Sequence, residues 1–170
     1  MKNVQNSVVK REELFLLFAI RREAFLIQTR HIVEILPLVP FKTFPYFPSH
    51  ISGVFSHRGQ LLSCLDLAIL FYGVGDLYTL SSRILVVRGE STKDETQSEA
   101  FLFGWLVSQV QTTLHLALSD LRETCPRQPL AHYLEGVFLR GDELLPLLSM
   151  KKIFSDPLHS PLFLPVKEDE

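Results

Sequence analysis

Apolar residues in this chain come in short runs cut by turn signals at close intervals, a pattern of strands rather than of long helices. The runs place strands near residues 13–20, 24–30, 31–36, 51–56, 60–65, 83–89, 100–107, 108–116, 134–139 and 143–148. Ten short strands with few helical stretches predict an all-β fold of small barrels, not an α/β layer fold. Residues 37–50 break the pattern, because Pro37, Pro40, Pro45 and Pro48 lack the donor that a central strand requires. The polar stretch 91–99 reads as a loop between two strands.

One segment of the pattern occurs twice. Gly53, Val54, Phe55, Leu61, Leu62, Leu65 and Phe71 fall opposite Gly136, Val137, Phe138, Leu144, Leu145, Leu148 and Phe154, at a constant offset of 83 residues without a gap. This argues for a duplicated unit of strand, turn, strand and short helix; the alternative is two hairpins that reached the same spacing independently. In the first copy Gly59 supplies a turn, Asp66 stands where a helix N-cap would, and Gly73 ends the helix. Val54, Phe55, Leu62, Leu65, Val137, Phe138, Leu145 and Leu148 are expected to be mostly buried. Arg58 is left at the turn, where its guanidinium can reach a carboxylate. Glu34 interrupts the apolar run Ile32-Val33-Glu34-Ile35 and is expected to point outward while its neighbours pack.

Four ordered segments carry a family resemblance. Gly53-Val54 followed by Arg58-Gly59, Leu62 and Leu65-Asp66-Leu67 resembles the GVxNxRGxxxPVxDL signature of CheW-like coupling proteins. Phe25-Leu26-Ile27 with Ile32-Val33-Glu34-Ile35 is similar to that family's YAIPxxxVxEI segment, residues 104–110 to its GLxVDxV, and Gly136-Val137 through Leu148 to its closing GVxxxxGxLLxLLD. The resemblance spans about residues 13–155. Ser56, His57, Ser63, Ser108 and Ser149 depart from it, replacing an Asn, an apolar residue, a Pro and two aspartates.

The resemblance implies a single CheW-like domain at 13–155, built of two pseudo-repeated five-stranded SH3-like β-barrels with short connecting helices. The halves lie roughly at 24–80 and 83–150, with some strands crossing between them. Residues 1–12 read as a polar N-terminal tail, and 156–170 as a Pro-rich acidic C-terminal tail. The implied function is that of a non-enzymatic cytoplasmic adaptor, recruited to membrane-associated receptor arrays. It would couple the regulatory domain of a chemotaxis-type (CheA-type) histidine kinase to the cytoplasmic tip of a chemoreceptor, a methyl-accepting protein. In the family, the acid and the arginine that match Glu34 and Arg58 lie close together at the partner surface. The implied partner-binding set is Ile32, Val33, Glu34, Ile35, Gly53, Val54, His57, Arg58 and Gly59.

Composition narrows the alternatives. With 170 residues and 46% hydrophobic content the chain can bury a core without a metal or disulfide staple. A net charge of −2 without Lys/Arg blocks argues against nucleic acid. The apolar run Leu14–Ile20, flanked by Glu12-Glu13 and Arg21-Arg22, is far short of a membrane span. Cys64 and Cys125 form no CxxC pair, and a reducing compartment is the simplest reading. No HExxH, G-x-S-x-G or phosphate-loop pattern occurs, so no catalytic residue, cofactor or metal is assigned. His57, beside Arg58, reads as a packing or partner-facing residue. The Phe/Tyr/Pro cluster at 41–48 either covers a barrel or forms an exposed patch. Two further functions stay open: a divergent scaffold of a non-flagellar pathway serving surface motility or gene expression, and a small-ligand-binding barrel.

Overall fold

In the computed structural model, residues 10–94, 97–123 and 129–156 are described, apart from the side chains of 91–94, 97–99 and 129. Cys125 and the tails outside 10–156 lie beyond these residues. The chain forms β1 (Glu12–Ile20), β2 (Glu23–Gln28), β3 (Ile32–Pro37), β4 (Ile51–His57), β5 (Gln60–Asp66), α1 (Leu67–Tyr72), β6 (Arg83–Asp94), β7 (Gln97–Val107), β8 (Gln109–Ala117), β9 (Leu134–Arg140), β10 (Glu143–Leu148) and α2 (Met150–Ser155). Of the stretch read as a polar loop at 91–99, residues 91–94 and 97–99 instead prolong the β6 and β7 pairing, with Ser91 opposite Glu99 and Thr92 opposite Ser98. Backbone pairing needs no apolar pattern, so this extension carries no hydrophobic signal.

The strands make two five-stranded sheets, a terminal sheet in the order β8-β1-β2-β10-β9 and a central sheet in the order β3-β6-β7-β5-β4. The two orders match place by place, and each contains one parallel contact, β10 on β2 and β5 on β7. Strand pairing does not follow the halves 24–80 and 83–150. The central sheet is continuous in sequence, whereas the terminal sheet joins the first two strands to the last three. The backbone ladders do not link the end strands of either sheet, so each is a curled sheet rather than a closed hydrogen-bonded barrel.

Three apolar clusters hold this arrangement. Phe15, Leu17, Leu26, Phe138, Leu145 and Leu147 fill the terminal sheet, and Phe55, Leu62, Cys64, Ile84, Val86 and Leu106 fill the central one. The largest cluster packs between them and includes Phe18, Phe25, Leu65, Leu85, Phe103, Trp105 and Leu148. Strand β1 serves both sides, with Phe15 and Leu17 facing one cluster and Leu16, Phe18 and Ile20 the other. Of the expected core, Phe55, Leu62, Leu65, Phe138, Leu145 and Leu148 are buried, while Val54 and Val137 are half-buried.

The offset of 83 residues is a structural equivalence as well as a sequence one. Asp66 caps α1 by accepting from the Ile69 amide at 3.0 Å, and Ser149 caps α2 by accepting from the Lys152 amide at 3.3 Å. The Asp66 amide donates to the His50 carbonyl and the Ser149 amide to the Tyr133 carbonyl, at 2.7 and 2.9 Å. A lone bridge also flanks each hairpin: Lys42 pairs with Val54, and Arg122 with Val137. Ser149, a departure from the resembled pattern, thus retains the capping oxygen that an aspartate would supply.

Candidate functional site

The β4–β5 hairpin turns through Arg58 and Gly59, both at positive φ, 49° and 80°. Two such residues between paired strands give the twist that a two-residue hairpin needs. Glycine adopts this backbone freely, but an arginine in the left-handed region costs about 1 kcal/mol. The equivalent place in the second hairpin holds Gly141, at φ 61°.

From this turn the Arg58 guanidinium reaches Glu34, with Nη2 2.9 Å from Oε2. His57 Nε2 lies 3.2 Å from the same oxygen. The three side chains differ in environment: Arg58 is 74% exposed, Glu34 33% and His57 only 9%. Glu34 sits on β3 and the other two on or beside β4, so the trio joins the two end strands of the central sheet, which no backbone ladder connects. His57 fixes the carboxylate from below while Arg58 presents its charge to solvent.

The orientation of Glu34 corrects the sequence reading. Val33 is an extra residue in the pairing with β6, because Ile32 stands opposite Val87 and Glu34 opposite Val86. This bulge puts Ile32 against the inter-sheet core and turns Glu34 to the side of Leu36 and the central-sheet core. Val33 and Ile35, not Glu34, are the outward residues, at 45% and 41% exposure.

Gly53 and Val54 also differ from expectation, since their edge is not open to a partner. Lys42 covers it: the Lys42 amide donates to the Val54 carbonyl and the Val54 amide to the Lys42 carbonyl, both at 2.9 Å. Gly53 is buried at φ 141°, and a β-carbon there would lie 2.6 Å from the Lys42 carbonyl oxygen. The backbone that requires a glycine here is the chain's own. Lys42 gave no sequence signal because it lies among the prolines of 37–50.

The aromatic cluster around Lys42 divides. Phe41 packs edge-on against Phe55, with centroids 6.1 Å apart, while Phe44 and Tyr46 face outward. Phe47 packs against the inter-sheet core. Ser108, another departure from the resembled pattern, accepts from the Arg21 amide at 2.7 Å and donates to the Asp76 carboxylate. Asp76 therefore brings a carboxylate from the linker after α1 to the place where the resembled motif has its own aspartate. Burial, and then the nearby Asp66 charge, push the Cys64 thiol far above its ordinary pKa, so it behaves as a core residue. Among the described residues no cluster of three or more His, Cys, Asp or Glu could hold a metal, and no helix is long and apolar enough to cross a membrane.

Comparison with known proteins agrees with this architecture. The profile of the CheW-like domain family matches residues 14–158. Among solved structures the chain is similar to the scaffolding protein TtCheW from Thermoanaerobacter tengcongensis, with a TM-score of 0.75 at 17% identity, covering 91% of this chain and 95% of that one. At that identity the likeness speaks for the fold. No curated protein sequence matches the chain.

Proposed function

The chain belongs to the CheW-like domain family, and we propose that it is a non-catalytic adaptor of chemosensory signalling, coupling a chemotaxis-type histidine kinase to chemoreceptor tips. The observation that carries this reading is Arg58. An exposed arginine is kept at a backbone conformation that its counterpart, Gly141, adopts without strain, and a buried histidine beside it braces its acidic partner. Stored backbone cost at an exposed charged residue points to recognition. The kinase regulatory domain and the receptor tip are the partners proposed, and the residues proposed to meet them are Val33, Ile35 and Arg58, oriented by Glu34 and His57.

A second feature suits docking of like-folded partners. Leu61 and Leu144 occupy equivalent places on the two hairpins and are 62% and 64% exposed. Paired apolar anchors on matching hairpins give an adaptor two similar faces to offer. The cytoplasm is the compartment proposed, with recruitment to receptor arrays through these contacts.

The test is binding of the purified chain to the regulatory domain of the cognate kinase and to a receptor cytoplasmic fragment, by calorimetry. Arg58→Glu should weaken binding by about 2 kcal/mol or more if Arg58 is an anchor, while changing fold stability by about 1 kcal/mol at most, because the pair is solvent-screened. Glu34→Arg combined with Arg58→Glu should regain local pairing without regaining the partner. Lost stability with intact affinity would make the pair structural and remove this reading's residue-level support.

A further inference from the structure

A cavity of about 740 Å³ opens between the 3-10 turn at Thr29–His31, residues 88–90 of β6 and helix α2. Arg30, His31, Arg88 and Lys151 line it, against the single carboxylate of Glu90. Three permanent cations and one anion line it, in a chain whose net charge is −2, a local excess of positive charge. Among the described residues no carboxylate pairs with Arg30, Arg88 or Lys151, and the Arg30 guanidinium donates only to the neutral Gln28 side-chain oxygen, at 3.0 Å.

The floor is apolar. A β-carbon on Gly89 would lie 1.5 Å from the Phe154 ring, so that ring rests directly on the strand. Phe103 braces it edge-on, with centroids 4.5 Å apart, and Met150 completes the wall. His31 is held below its ordinary pKa by burial and then by Arg30, against the opposing pull of Glu90 and Glu135, so at neutral pH it offers an uncharged ring rather than a fourth cation.

We propose that this groove binds a small anion that joins a phosphate or carboxylate head to a flat apolar body. The head meets Arg88 and Lys151, where charge-assisted hydrogen bonds are strongest. The body lies on Phe154 and Met150, and the volume falls within the usual range of small-ligand sites. This site shares no lining residue with the Glu34, His57 and Arg58 trio and does not depend on the adaptor reading.

The experiment is an amide NMR titration of the full chain with phenyl phosphate, benzoate and, as a neutral comparator, benzyl alcohol. Saturable shifts at Arg30, Gly89 and Lys151 are expected with at least one of the anions, at a Kd of about 1 mM or tighter, and the tighter of the two identifies the head. Benzyl alcohol should bind at least about tenfold more weakly, as should either anion to the Arg88→Glu, Lys151→Glu double variant; tenfold corresponds to about 1.4 kcal/mol. The variant's own spectrum reports that it is folded. Arg140→Glu, a charge reversal outside the groove, should leave binding unchanged. Absence of saturable shifts with both anions, equal binding by the double variant, or an equal loss in Arg140→Glu would overturn the proposal.

Discussion

Replacing Gly53 with alanine tests whether the lone bridge at Lys42 organises the β4 edge of the central sheet. Two costs follow from the geometry. Gly53 stands at φ 141°, a region essentially closed to other residues, and holding alanine there costs about 1–3 kcal/mol. A β-carbon 2.6 Å from the Lys42 carbonyl oxygen cannot be accommodated by a side-chain shift. The bridge must open, which forfeits two backbone hydrogen bonds at about 1 kcal/mol each. The expected destabilisation is therefore about 3–5 kcal/mol. Gly59→Ala is the reference, since Gly59 has φ 80° and open space around the added carbon, and should cost only about 1 kcal/mol. For a chain of this length that separates the two variants by about 10 °C in Tm. Urea denaturation gives the free energies, and amide exchange at Lys42 and Val54 shows whether the bridge has opened. A Gly53→Ala protein no less stable than Gly59→Ala, or one with both amides still protected, would refute the reasoning. Loss of partner binding in Gly53→Asp would on this account report an opened bridge rather than a blocked interface.

Three further outcomes are expected. Arg58→Gly should leave stability within about 1 kcal/mol, because relief of the left-handed backbone offsets loss of a screened ion pair, yet it should still lose kinase binding; unchanged affinity would count against the role given to Arg58. Asp66→Ala and Ser149→Ala should each cost about 1 kcal/mol in urea unfolding, as lost helix caps, and Ser149→Asp should be tolerated; a larger loss in Ser149→Asp than in Ser149→Ala would contradict the capping assignment. His31 is held below its ordinary pKa, so the unfolded chain takes up the proton more readily and the contribution of this group to stability is full above about pH 6.5 and falls as the pH drops toward the lowered value. His31→Gln should flatten that part of the acid dependence of the urea midpoint, and an identical slope in both proteins would exclude it.

Strand positions were legible because β1, β2, β5, β6 and β7 are buried on both faces over most of their described length, so their apolar runs coincide with pairing segments. Strand partners were not legible. The 83-residue offset correctly pairs β4, β5 and α1 with β9, β10 and α2, but nothing in the apolar pattern records that β1 and β2 belong with the last strands. Non-local partner choice is decided by which sheet has a place left, and that is a property of the whole fold. Glu34 was misplaced for a local reason: one extra residue at Val33 turns the following side chains to the other face, and alternation alone cannot reveal a bulge. At the candidate site the pairing of Glu34 with Arg58 was anticipated and the brace from His57 was not, since a buried histidine on a strand is indistinguishable in sequence from a packed one.

The internal repeat supplies a comparison within one chain. Both hairpins solve the same folding problem, with the same glycine under the same kind of bridge and the same capping oxygen ahead of the helix. What the two copies share is therefore what the fold requires. At the turn the copies part, Arg58 standing against Gly141: the fold is satisfied by glycine, yet one copy keeps a charged side chain there, together with His57, where the second copy has the exposed Arg140. A charged side chain kept at an exposed turn, at a cost in backbone energy, is hard to derive from packing. It follows readily if only the central sheet presents that turn to a partner that reads charge, while the terminal sheet keeps the hairpin for its shape.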